Sequence, residues 1–545
     1  MTVRAALATL AVFLALPQAA SAARYAVGAA SVEDLPQLQR ALGGETESLA
    51  PLPALIVERE APPRLRDLPG ATYVERLGAR RLSFTPNDPL AQKQWHLAAN
   101  KAFDYWPDLP VLPRVLVAVI DSGIDGGHPE FQGRIADWKS FVGTSALQDT
   151  QGHGTFVAGV IAATVNNELG IAGMAPAVDL LVAKVVGADG TIDIEAEAKA
   201  IRWAVRREAR VINMSLGGLR DPRNSALDSF SPLEAAAIGY AREQGVVVVA
   251  AIGNGDSAPR QPWPYATYPA ALPHVLGVSA LARNGSAPVF SNRDKIYNDI
   301  AAPGQGIVST LPRSLTAPFK ECVDQGYSIC GTEDWRAAEG TSFAAPQVAA
   351  AAAMLIAERP RIRAEQVTEL LTRTADDVNP ATGCLRCPRL RDQFTGWGRL
   401  DMQAALLQLG ARLPPRDLLE PNDDAGPEAA RLWGQTRRLA ATLDFWDDQN
   451  DVYAIKLRRD QPVFVSVRGP AGTDTNLVLW HPATRHVDDL GSLKRVVRQS
   501  VRPGPREFLA YRAARAGWYF VQVKLGSRGS GRYRLAIVKA PPSRP

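Results

Sequence analysis

Several things are scarce in this 545-residue sequence. Four cysteines and six histidines are few for its length, and Lys+Arg exceeds Asp+Glu by only +5. The basic residues are scattered rather than blocked, which argues against nucleic acid as a partner. No apolar run reaches the ~18 residues that a membrane-crossing helix needs, so no membrane span is expected. No strand-like segment is followed by Gly-x-Gly-x-x-Gly or a phosphate loop, which disfavours a nucleotide-binding enzyme. The one Cys-x-x-Cys, at Cys384 and Cys387, has no histidine beside it, which disfavours zinc. What is present is ordinary globular composition, 46% hydrophobic and 21% charged. The length suits about three to four domains at ~100–200 residues each.

Arg4 precedes an apolar run over residues 5–16, broken by Pro17 and closed by Ala20-Ser21-Ala22. A run of about 12 residues is too short for a ~30 Å hydrocarbon layer. It reads as a signal peptide over residues 1–22 of a secreted chain, extracellular, periplasmic or cell-surface. In an oxidising compartment the cysteines read as two disulfides, with Cys322 and Cys330 near each other and Cys384 and Cys387 closer still; crossed pairing stays open.

Beyond the signal, residues 24–30, 55–58 and 71–77 read as strands. Ser31 and Asp34 look like a helix cap before Leu35, Leu38 and Leu42. Residues 23–83 thus form a small α+β unit, ending in the basic pair Arg80-Arg81. From about residue 84 to 412 strands alternate with helices: strands at 115–120, 179–186, 211–214 and 245–251, helices at 154–163, 194–209 and 232–243. Such alternation predicts a parallel sheet with helices on both faces, and chemistry at the carboxyl ends of its strands. A Pro-rich shift near residue 413 opens a third region. Short runs at 451–457, 463–467, 476–480, 518–524 and 533–538 predict an antiparallel β-sandwich over 413–545.

Three motifs carry chemistry. An apolar strand ends in Ile120-Asp121-Ser122-Gly123, where the carboxylate is partly desolvated and needs a partner. Gly152-His153-Gly154-Thr155 sets an imidazole between glycines at the mouth of a small-residue helix. Gly340-Thr341-Ser342-Phe343-Ala344-Ala345-Pro346 places a serine at a helix N-terminus, where free N–H groups favour developing negative charge. Taken singly these read as a strand-end turn, a core histidine and a plain helix cap. Together they supply a hydroxyl, a base and the carboxylate that orients it.

In this order the motifs resemble the subtilisin-like serine proteases, over roughly residues 88–405. The resemblance implies a serine endopeptidase acting through an acyl-enzyme, needing no catalytic cofactor. Asp121 would orient His153, His153 would be general base and then acid, and Ser342 the nucleophile. Asn254, in Ala250-Ala251-Ile252-Gly253-Asn254, would donate to the oxyanion. Ser215, Leu216, Gly217 and Gly218 would pair with an extended polypeptide substrate, and Ala251, Gly253, Thr267, Tyr268 and Pro269 would form the pocket for the side chain at the cleaved bond, with a cis bond before Pro269. Thr267, where the family commonly has Gly, predicts a preference for medium apolar side chains. Asp88, Glu130 and Asn167 are similar to a structural calcium site, although Glu replaces the usual Asp and the loop is one residue longer. Phe156, Phe343 and Gln347 also depart from the usual His, Met and His.

The resemblance further implies that residues 23–83 are an inhibitory, chaperone-like propeptide, cut before a mature terminus near Phe84, and that the enzyme is a monomer. The last region is similar to the prepeptidase-type β-sandwich of secreted peptidases, where it would bind substrate or surfaces, or only solubilise. Two rival functions remain: an acyl-transferring peptide ligase or cyclase on the same fold, and a catalytically silent binding protein.

Overall fold

The computed structural model describes residues 23–541 except 60, 78–83, 257, 317–333, 411–418, 421, 446–447, 488–492 and 528. The expected signal, Arg80-Arg81, the pair Cys322 and Cys330, and the 412/413 boundary region fall outside the described residues. Two compact units divide the chain, 1–82 and 83–545.

In the first unit, an antiparallel sheet runs in the order Thr46–Ser48, Ala54–Arg59, Ala23–Ala29, Ala71–Arg76. The helix Leu35–Leu42 buries Leu35 and Leu38 against Val27, Leu55 and Val57. Ser31 and Asp34 cap its approach, the Asp34 carboxylate accepting from the Ser31 N–H and hydroxyl.

The second unit is built on a seven-stranded parallel sheet in the order Ile300–Pro303, Val275–Leu281, Val247–Ala251, Val211–Met214, Val115–Asp121, Val178–Lys184, Ile135–Ser140. Alternation along one strand splits its side chains between two cores. Val115, Val117 and Val119 pack with the helices His153–Ala162, Thr341–Glu358 and Ala364–Arg373, whereas Ala118 and Ile120 pack with Ile194–Arg206 and Pro232–Glu243. In Thr341–Glu358 all but Ser342 and Glu358 are buried; its alanine run lets a helix cross the sheet at close range. The expected α/β architecture is therefore present. Strands at 135–140, 275–281 and 300–303 and the helix at 364–373 were not anticipated from sequence.

From residue 430 onward come two facing sheets. One runs Ala430–Leu432, Asn450–Leu457, Gly517–Leu525, Thr475–Trp480, Val496–Ser500, and the other Thr436–Asp444, Ser530–Lys539, Pro462–Arg468, Arg506–Arg512. They are antiparallel as expected, with one correction: the short edge strand Ala430–Leu432 pairs parallel to Asn450–Leu457. Cys384 is bonded to Cys387, so for these two cysteines the pairing is local rather than crossed.

Candidate active site

Sheet order alone gathers much of the site. Asp121 ends one strand, Ser215 follows the next, and Asn254 lies just beyond the third; these three strands are adjacent and parallel. His153 and Ser342 each stand at the N-terminal turn of a helix packed on the same face of that sheet.

His153 Nδ1 lies 2.8 Å from Asp121 Oδ1. A carboxylate only accepts, so Nδ1 carries the proton and the neutral ring offers Nε2 as a base. Asp121 is 1% exposed and also accepts from the Ser122 N–H at 2.7 Å. Gly154 is required here, because a Cβ would sit 2.1 Å from the Gly123 carbonyl oxygen. Burial pulls the His153 pKa down, but the charge and hydrogen bond of Asp121 and the charge of Asp149 outweigh it, and the net shift is upward from 6.5.

Ser342 and Ser215 bond each other reciprocally. The Ser342 hydroxyl donates to the Ser215 carbonyl at 3.1 Å, and the Ser215 hydroxyl donates to the Ser342 carbonyl at 2.7 Å. The second bond has a local cause. Pro346, inside the helix, has no N–H to give the carbonyl four residues earlier, and Ser215 takes that acceptor. The ring of Phe343, the next residue, is 5.6 Å from the His153 ring, bringing the serine's turn beside the imidazole.

Asn254 Oδ1 accepts from the Thr341 N–H at 2.8 Å and the Thr341 hydroxyl at 2.9 Å. Gly218 and Tyr268 exchange both backbone hydrogen bonds at 2.9 Å, just beyond Ser215, Leu216 and Gly217. Tyr268-Pro269 is cis. The Thr267 methyl lies against Gly253, where a Cβ would come within 2.5 Å of it, and Ala251 is buried at the strand end.

Residues 113–398 match the subtilase family, and this stretch is more than half of the chain. The chain belongs to the subtilase family. It is 32% identical to thermitase of Thermoactinomyces vulgaris over 299 residues, 54% of this chain and 93% of that protein. It is 37% identical to subtilisin BL of Lederbergia lenta over 265 residues, covering 48% and 84%. Against subtilisin E of Bacillus subtilis it is 36% identical over 263 residues, covering 48% and 60%. This subtilase is accordingly a serine-type endopeptidase with the subtilisin fold and peptide substrates.

The three departures have structural accounts. Phe156 and Phe343 are buried and pack on each other with ring centroids 4.3 Å apart, so one replacement accommodates the other. Gln347 spans three segments: its Nε2 donates to the Pro303 and Phe343 carbonyls, and its Oε1 accepts from Asn100 Nδ2.

One residue that sequence reading missed is Asp149. It is 2% exposed and accepts from the Gln151, Gly152 and Thr155 N–H groups and the Ser122 and Thr155 hydroxyls, fixing the turn that presents His153. An acidic residue just before Gly152-His153 was the available signal.

The calcium expectation fares differently. Asp88 Oδ2 and Oδ1 accept from the Asn166 and Asn167 N–H groups at 3.0 and 3.1 Å. Glu130 Oε1 accepts from the Ile171 N–H at 2.9 Å and Trp335 Nε1–H at 3.0 Å, and its Oε2 accepts from Asn167 Nδ2 at 3.0 Å. Asn167 Oδ1 accepts from the Leu169 N–H at 2.9 Å. The three expected ligands are thus turned toward hydrogen-bond donors, and the set does not fit a cation that needs 6–8 oxygens facing it.

Proposed function

We propose that this subtilase is secreted and cleaves polypeptides through an acyl-enzyme on Ser342. The observation that carries the reading is the 2.8 Å Asp121–His153 hydrogen bond beside the helix turn holding Ser342. His153 Nε2 takes the Ser342 proton as Oγ attacks the scissile carbonyl. Asn254 Nδ2 and the Ser342 N–H, unpaired in the first helical turn, hold the oxyanion. Collapse breaks the C–N bond and His153 returns the proton to the departing amine. Water then attacks the ester carbon as His153 takes its proton, and His153 returns that proton to Ser342 Oγ as the C–O bond breaks and the carboxylic acid leaves.

An extended substrate would lie along Ser215–Gly217 by strand addition. Competition for the Ser215 carbonyl frees the Ser342 hydroxyl to turn to His153. Thr267 narrows the primary pocket and selects medium apolar side chains. Residues 23–83 act as an intramolecular inhibitor removed by autoprocessing before Phe84, and the β-sandwich of 413–545 serves substrate or surface contact. Structural calcium at Asp88, Glu130 and Asn167 forms no part of this reading.

The test is fluorophosphonate labelling and casein hydrolysis of the secreted protein and its Ser342→Ala variant. Label and hydrolysis lost together are expected, with the variant accumulating unprocessed chain. Labelling that persists in the variant overturns the assignment of the nucleophile.

A further inference from the structure

We propose that the indole of Trp335 closes the 166–171 loop in place of a calcium ion, so that the fold needs no cation there. Two buried carboxylates meet at this point, Asp88 at 3% and Glu130 at 0% exposed. Each of their four oxygens accepts from at least one N–H group: two backbone donors reach Asp88, and a backbone, an amide and an indole donor reach Glu130. Glu130 Oε1, with two donors, has no lone pair left for a cation, and a cation at the other oxygens would have to share them with the N–H groups already bound.

The indole has a fitted seat. Gly170 lies under it, and a Cβ there would fall 2.0 Å from Trp335 Cε2 and Nε1 and 2.5 Å from Glu130 Oε1. His128 meets the same indole edge-on at 5.6 Å. Trp335 itself begins the strand Trp335–Ala338, which leads directly to Gly340 and Ser342. The contact thus ties the loop and Glu130 to the approach of the nucleophile through a neutral donor, where divalent coordination would tie them through charge.

The full-length Ser342→Ala chain, which cannot digest itself, is melted in excess EDTA and in millimolar calcium chloride. Coincident transitions are expected. A rise of several degrees in calcium that Glu130→Gln abolishes overturns the proposal; a rise that Glu130→Gln leaves intact comes from another site and agrees with it. Trp335→Phe, which keeps a ring but deletes the donor, is expected to melt roughly 3–10 °C lower in both buffers. Unchanged melting of that variant overturns the role of the indole. Terbium alone, excited through tryptophan in the same chain, gives a readout that needs no stable Glu130 variant. No emission that Trp335→Phe removes is expected, and its appearance would place a cation against the indole.

Discussion

Asn254 is held by Thr341, whose N–H and hydroxyl both donate to Asn254 Oδ1 at 2.8 and 2.9 Å. A backbone N–H can only donate, so the amide orientation is fixed and Nδ2 is left over, accepted by no described residue. A Cβ on Gly340 would lie 3.3 Å from this nitrogen, which places it over the turn that carries Ser342. Thr341 therefore orients the amide that the proposed mechanism uses as its oxyanion donor. Asn254→Ala is expected to lower kcat by about 10²–10³ with KM little changed, the scale known for subtilisin itself. Steady-state kinetics on a peptide substrate check this.

Ser342→Ala removes the hydroxyl that the proposed mechanism uses as nucleophile. A loss of the order of 10⁶ in kcat is expected, again the scale established for subtilisin. The measurement is single-turnover cleavage at high enzyme concentration, with unchanged far-ultraviolet circular dichroism as the folding control.

With His153 as the proposed base, the acid limb of the pH–rate profile is expected to report its ionisation, since a base must be neutral to act. Its pKa is shifted upward from 6.5, so kcat/KM falls as pH drops through a midpoint above that value. Asp149→Asn deletes one of the charges that raise the pKa, and the limb should move to lower pH. A limb that stays in place would remove Asp149 from the electrostatics of the base.

Glu197 and Glu234 face each other between two helices, 2% exposed each. Burial raises both carboxyl pKa values, and the charge of Glu234 pushes Glu197 further up. A raised carboxyl contributes stability that is fully present below the unfolded value and is lost as pH rises through the folded one. Glu197→Gln carries no charge to bury, so it should flatten the decline of Tm from acid to alkaline pH. Melting curves across that range are the check, and parallel declines in both proteins would contradict it.

Thr267→Gly removes the methyl that lies beside Gly253, the floor of the proposed primary pocket. Cleavage preference in a peptide library is expected to shift from medium apolar to large aromatic side chains, while kcat on the best small substrate changes less than about tenfold. A profile dominated by Arg or Lys in the parent enzyme would refute the pocket assignment.

Glycines and small residues around Asp121, His153 and Ser342 made the candidate site legible, because only unhindered backbone lets three elements approach closely. Continuous apolar runs such as residues 115–120 and Val247–Ala251 announced the sheet, because strands covered on both faces carry no polar alternation. The sandwich was harder to read. In Arg506–Arg512 the inward side chains include Glu507, 4% exposed and bonded to the Arg502 N–H at 2.6 Å, while Phe508 points outward. Hydropathy is therefore inverted at that pair, although the next inward residue, Leu509, is buried as expected. Nothing near Trp335 in sequence signals Glu130, because their hydrogen bond joins residues 205 positions apart.

Trp397, in the segment that ends the family match, sits within the hydrophobic cluster of the sandwich and stacks edge-on with Phe445 at 5.1 Å. Arg373 joins Glu369 of its own helix to Asp444 across the same boundary at 2.5 and 2.7 Å. A catalytic fragment ending near residue 412 would thus surrender an indole and a guanidinium to solvent. Calorimetry of the intact chain should register one merged endotherm for both parts, and trimming the tail to aid expression would invite clumping instead.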